Sequence, residues 1–120
     1  MGNPVVQFQI LSKSPEETAR FYSKLFDWTV NADNALGYRE INTGSHIGIH
    51  GGIWPAPPQA PNFVQLFIAV DDVRASSQKA EAAGAKIIIS PTNLPDGGEM
   101  AILHDPQGMS FGLVKNIHRG

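Results

Sequence analysis

Cysteine is absent from this 120-residue chain. That excludes a disulfide framework and a thiolate nucleophile, and it fits a reducing cytosol. Long apolar runs are missing as well: none approaches the roughly 18 residues that a membrane-spanning helix needs. The start MGNPVV has neither a signal-peptide core nor the hydroxyl residue of a myristoylation signal. A soluble, cytoplasmic protein is therefore expected, with no membrane partner. Positive charge is sparse and scattered, with nine Lys and Arg against eleven Asp and Glu. Such a chain offers no broad cationic field to a phosphate backbone, so nucleic acid is not an expected partner. Also missing are the GxSxG elbow, a phosphate loop with its lysine, and HExxH.

What is present is one domain's length of chain, enough to bury roughly two-thirds of its unfolded surface. VVQFQIL reads as a buried strand, and SPEETARFYSKLF follows with helix-start chemistry. Ser14 can cap, Pro15 suits the first helical position, and Glu17 completes a capping box. Ala19, Tyr22, Leu25 and Phe26 recur at helical spacing, with Phe21 widening the stripe that faces a sheet. WTVNA, GYREINT and HIGIH then read as three short strands, separated by the turn-formers DNALG and GS. WPAPPQAPN holds four prolines in nine residues, too poor in donors for a sheet centre, and reads as a connector.

After the connector the pattern restarts. FVQLFIAV is a strand, DDVRASSQKAEAAG a helix with an Asp cap and Gly84 as terminator, and AKIIIS, EMAILHD and MSFGLVK are strands. The turns NLPDGG and DPQG separate them. Both halves therefore read β-α-β-β-β, with module 1 over about 4–53, the connector over about 54–62 and module 2 over about 63–116. An offset of 58 residues lays Gln7 on Gln65 and Val6 on Val64, and the echo of GSHIGIH in GMSFGLV lays Gly48 on Gly112.

SPEETARFYSKLFDW, GGIWP, FIAVDDV, KAEAAGAKI and DPQGMSFGLVK together resemble the vicinal oxygen chelate superfamily, which includes glyoxalase I, extradiol dioxygenases and bleomycin-binding proteins. The resemblance covers nearly the whole chain. It implies an α+β fold in which two tandem βαβββ modules form a curved eight-stranded open barrel with helices outside. It also implies homodimers, with modules paired within one chain or exchanged between two. Metal-dependent members place ligands on the first and last strand of each module, and those places fall here on Gln7, Gly48, Gln65 and Gly112.

Two amides and two glycines cannot neutralise a divalent ion, because glutamine brings a dipole and glycine no side chain. His46 and His50 lie on one strand face but about 13 Å apart at strand rise, too far to share an ion. His46 reads as a surface residue, His104 as a turn cap and His118 as part of a tail. The expected function is metal-free binding of a small organic ligand, with no cofactor and no assigned reaction. Its walls are Gln7, Tyr38, Gly48, His50, Trp54, Gln65 and Gly112, with Gln9, Glu40, Phe67, Met100 and Ile102 completing the inward faces. If there is catalysis, His50 and Glu40 are the candidate bases. The alternative is a glyoxalase-like lyase, isomerase or dioxygenase whose Zn, Ni, Mn or Fe is held by Gln7, His50 and Gln65.

Overall fold

A computed structural model describes residues 2–32, 38–94 and 97–115. The turn DNALG, the middle of NLPDGG and His118 fall wholly or partly outside them. The elements run β1 (Val5–Ser12), α1 (Pro15–Phe26), β2 (Thr29–Asn31), β3 (Arg39–Asn42), β4 (His50–Pro55), β5 (Phe63–Ala69), α2 (Val73–Ala82), β6 (Lys86–Asn93), β7 (Glu99–His104) and β8 (Ser110–Lys115). This is the doubled β-α-β-β-β order expected from the pattern. No described helix is long and apolar enough to cross a membrane.

The chain separates into two compact units, a first of Gln7–Gln65 and a second of Met1–Val6 with Leu66–Gly120. In the first, the strands are ordered β2-β3-β4-β1, with β1 and β4 parallel and the other pairs antiparallel. The second repeats the plan as β5-β8-β7-β6, with β5 and β8 parallel. The curved open barrel is corrected by this topology: the strands form an eight-stranded mixed sheet that ends at β2 and β6 and does not close. The end strands are poor templates for further pairing. β2 has only three residues, and β6 contains Pro91 and two register shifts against β7, features that blunt a sheet edge.

Each unit builds its core between a helix and one sheet face. Ala19 of α1 packs with Ile41 and Ile53, flanked by Phe8, Ile10, Trp28 and Val30. Val73 of α2 packs with Ala101, Leu103 and Leu113. A further apolar cluster of Phe67, Ile102 and Val114, joined by Leu94 and Met100, belongs to the second unit. Small Ala19 is the only buried residue of α1. The larger members of its stripe lie outside the core: Phe21, Leu25 and Phe26 are exposed, and Tyr22 stacks on Trp28 at 5.6 Å.

Local chemistry departs from expectation at two places. Ser14 stands at the N-cap of α1 without a side-chain cap bond; its own N–H donates to Ser12 Oγ at 3.0 Å. At α2, Asp72 does cap, accepting from Ala75 N at 3.0 Å. HIGIH does not form the strand expected of it: residues 43–49 are outside any strand, with bends at 46–48, and β4 starts at His50 and runs through Trp54 and Pro55, the first residues of the expected connector.

Candidate functional site

The register of the first unit puts particular side chains on one face. Gln7 is opposite His50, Gln9 opposite Gly52 and Leu11 opposite Trp54, while Glu40 is opposite Gly52 from the other side. Facing residues in a sheet share a side, so Gln7, Gln9, Glu40, His50 and Trp54 lie on the face away from Ile41 and Ile53. Tyr38, two residues before Glu40, joins them. Its ring occupies the volume in front of Gly52, where a Cβ would collide with its Cε1, Cζ and Oη. Glycine in this strand interior is thus the seat for an aromatic ring.

Three of its contacts help to hold Tyr38 there. Its ring stacks on Trp54 with centroids 4.6 Å apart and planes 29° from parallel. Its hydroxyl donates to the Gly51 carbonyl at 3.4 Å and accepts from Gln7 Nε2 at 3.5 Å. Both hydrogen bonds are at the long limit. Burial pushes the Tyr38 phenol up to about 12, helped by the negative charge of Glu40 and opposed by the Gln7 hydrogen bond. The phenol is a neutral donor throughout the physiological range.

That shift has a signed consequence. The unfolded chain's phenol ionises near the ordinary value of about 10, whereas folded Tyr38 keeps its proton to about 12. Stability from this group is complete below about pH 10 and is lost as pH rises toward 12, because only the unfolded state releases the proton in that window. Ultraviolet titration should show Tyr38 ionising late, and Glu40→Gln should bring its ionisation to lower pH.

The other predicted residues are distributed as follows. His50 is exposed at the start of β4, and its Nδ1 accepts from Thr43 N at 3.1 Å. Gln65 is buried in β5. Gly48 is exposed in the bends at 46–48, with φ +83° and open space around it. Gly112 is in β8 of the second unit, opposite Phe67, and a Cβ there would lie 2.5 Å from Phe67 Cε1. Met100 and Ile102 belong to the same apolar cluster as Phe67. The register equates Gly112 with Gly52, since Phe67 and Gln9 are the 58-residue counterparts. Gly52 is the residue that sequence reasoning missed; alternation counted back from Trp54 would have found it.

A divalent ion does not fit the residues at the family's ligand places. One of the glycines lies in a bend and the other lies under Phe67. His50 receives the Thr43 N–H on Nδ1, which puts its own proton on Nε2 in the neutral ring and removes that lone pair from coordination. Among the described residues there is no group of three or more His, Cys, Asp or Glu able to hold a metal.

A concavity of about 460 Å³ in this unit lies apart from that face, between the end of β1, the start of α1 and residues 62–64. Phe21, Tyr22, Phe63 and Val64 line it, and several of its polar groups serve the fold. Ser12 Oγ and Thr18 Oγ1 bond at 2.6 Å, Lys13 N donates to Asn62 Oδ1, and Lys13 Nζ donates to the Pro58 carbonyl. It contains neither Tyr38 nor Trp54. The stack, with its amide and carboxylate neighbours, is chemically the better equipped of the two.

Comparison with known proteins agrees with the doubled fold. Residues 5–113 match the Glyoxalase/Bleomycin resistance protein/Dioxygenase superfamily. CFP32 of Mycobacterium tuberculosis, provisionally named a glyoxylase, is 34% identical over 110 residues, covering 89% of this chain and 42% of that protein. The anthracycline biosynthesis protein DnrV of Streptomyces peucetius is 27% identical over 122 residues, covering 88% of this chain and 44% of its own length. The chain thus spans less than half the length of these relatives. A hypothetical protein of Bacillus halodurans C-125 has the same fold, with a TM-score of 0.70 at 16% identity over 100% of this chain and 99% of that one.

Proposed function

Because the chain belongs to the Glyoxalase/Bleomycin resistance protein/Dioxygenase superfamily, we propose that its first unit binds a small planar organic molecule, without a metal, on the face formed by Tyr38, Trp54 and Gln7. The observation that carries this reading is the Tyr38–Trp54 stack seated on Gly52. Paired aromatic rings give a flat ligand dispersion contact on a rigid platform. The Gln7 amide and the Tyr38 hydroxyl supply donors and acceptors that orient it. An anthracycline biosynthesis protein stands among the relatives, and polycyclic aromatics of that class suit the same stack.

Acridone, a neutral planar tricycle with one N–H and one carbonyl, is a direct probe. Trp54→Ala is expected to weaken acridone binding about tenfold, the scale of one lost stacking contact. Phe21→Ala, in the groove beside α1, should leave it within twofold. Calorimetry on the two variants decides: loss in Phe21→Ala with Trp54→Ala unaffected would move the site to the groove and end this reading.

The proposal extends to a cytoplasmic homodimer. Exposed Phe21, Leu25 and Phe26 on α1 are of the kind that a partner covers, and the relatives have length for a second domain of this size. Sedimentation at the mass of a single 13.0 kDa chain would count against the dimer.

A further inference from the structure

The stack has a charged neighbour that shape recognition alone does not use. Glu40 faces Gly52 across the β3–β4 ladder, and the Tyr38 ring lies over that glycine. The carboxylate is exposed, yet close enough for its charge to act on the Tyr38 hydroxyl. Arg39 faces Ile53, and therefore lies on the opposite side of the sheet. Other side chains of this face, Gln7, Gln9, Asn31, Asn42, Thr29 and His50, bring amides, a hydroxyl and an imidazole, and Leu11 beside Trp54 brings a buried aliphatic group. Among the described residues of β1 to β4, Glu40 is the one Asp, Glu, Lys or Arg on it.

Aromatic faces and a carboxylate favour the same kind of partner. The π-face of Tyr or Trp is negative at its centre and attracts cations, most strongly where water is partly displaced. An adjacent carboxylate adds Coulomb attraction to the same charge and repels an anion. We infer that the preferred ligand of this face is a planar aromatic cation, such as a protonated polycyclic amine, with Glu40 as its counter-charge and Tyr38 and Trp54 as its platform. This rests on the binding reading above and adds to it the ligand's charge, which shape and amides leave open.

Three probes of similar outline separate charge from shape: 9-aminoacridine, a cation at neutral pH; acridone, neutral; and anthraquinone-2-sulfonate, an anion. Calorimetric titration of the full chain should rank them in that order, with the cation bound about tenfold tighter than acridone, the sum of an exposed ion pair and a cation–π contact. Glu40→Gln should shrink the cation-to-acridone ratio about three- to fivefold, and added salt should shrink it in wild type but not in the variant. Glu40→Lys should reverse the order of cation and anion. A ratio unchanged in Glu40→Gln, or tightest binding of the anion, overturns the inference. If acridone binds in a Trp54-dependent way without any cation preference, the charge assignment falls while the planar-ligand reading stands. If none of the three probes binds, both fall.

Discussion

Gly112→Val is expected to lower the stability of the chain by about 3 kcal/mol, the upper end for overpacking a closed site. A Cβ at residue 112 would approach Phe67 Cε1 and Cζ to 2.5 and 2.6 Å. Phe67 is 2% exposed and packs with Ile102 and Val114, so its ring has nowhere to go. A close-packed interior transmits that displacement to its neighbours. Urea denaturation should show the loss as a lower midpoint with an unchanged slope. Binding at the Tyr38–Trp54 face should survive in the fraction that remains folded, since none of the residues disturbed takes part in it.

Gly52→Val is expected to do the opposite: a smaller loss of about 1–2 kcal/mol, with acridone binding weakened more than tenfold. The clash is again with an aromatic ring, that of Tyr38, but this ring is only half-buried and can swing outward. Leaving its seat breaks the stack on Trp54 and both hydroxyl contacts at once. Combining Gly52→Val with Tyr38→Ala tests the mechanism. If the ring is what valine meets, the stability cost of valine should fall below about 0.5 kcal/mol in the Tyr38→Ala background, because residues in contact are not additive. Full additivity would mean that the strain lies in the β4 backbone instead. The two glycines occupy equivalent ladder positions, so the contrast between them separates a packing role from a binding role.

The doubled element order was legible because it rests on strong local signals: strand-length apolar runs, helix starts at Pro15 and Asp72, and a proline-rich break. The helix stops were real as well, with Gly84 at φ +106° behind α2. The last strand of module 1 was misplaced because HIGIH alternates as a strand should. There, side chains give the backbone other partners: Asn42 Oδ1 accepts from Gly44 N at 2.8 Å, and Ser45 Oγ accepts from Ile47 N at 3.0 Å. Such local bonds compete with a ladder and hold a turn. The resulting slip of the register placed the module's key glycine at Gly48, when the ladder puts it at Gly52.

The open end of the sheet was not legible, since closure depends on how edge strands meet and no local pattern encodes that. The site was legible in part. Gln7, Tyr38 and Trp54 were picked out by alternation and do come together in the first unit. Tyr38 had no periodic signal tying it to Gly52, because that contact crosses from one strand to the next. The chemical difference between the two repeats was equally hidden. Gln9 and Phe67 are counterparts on β1 and β5, yet the first belongs to a polar face and the second to an apolar cluster. Each unit keeps the same backbone plan, and the side chains of the first alone leave a hydrogen-bonding surface around an aromatic stack.

The central claim is that this stack binds its ligand without a metal, and tryptophan-quenching titration of chelator-treated protein with acridone tests it most directly. The predicted result is an affinity unchanged after EDTA and dialysis, unaltered by adding back Zn, Ni, Mn or Fe, and weakened by Trp54→Ala. Binding that disappears on chelation and returns with one of those ions would contradict it.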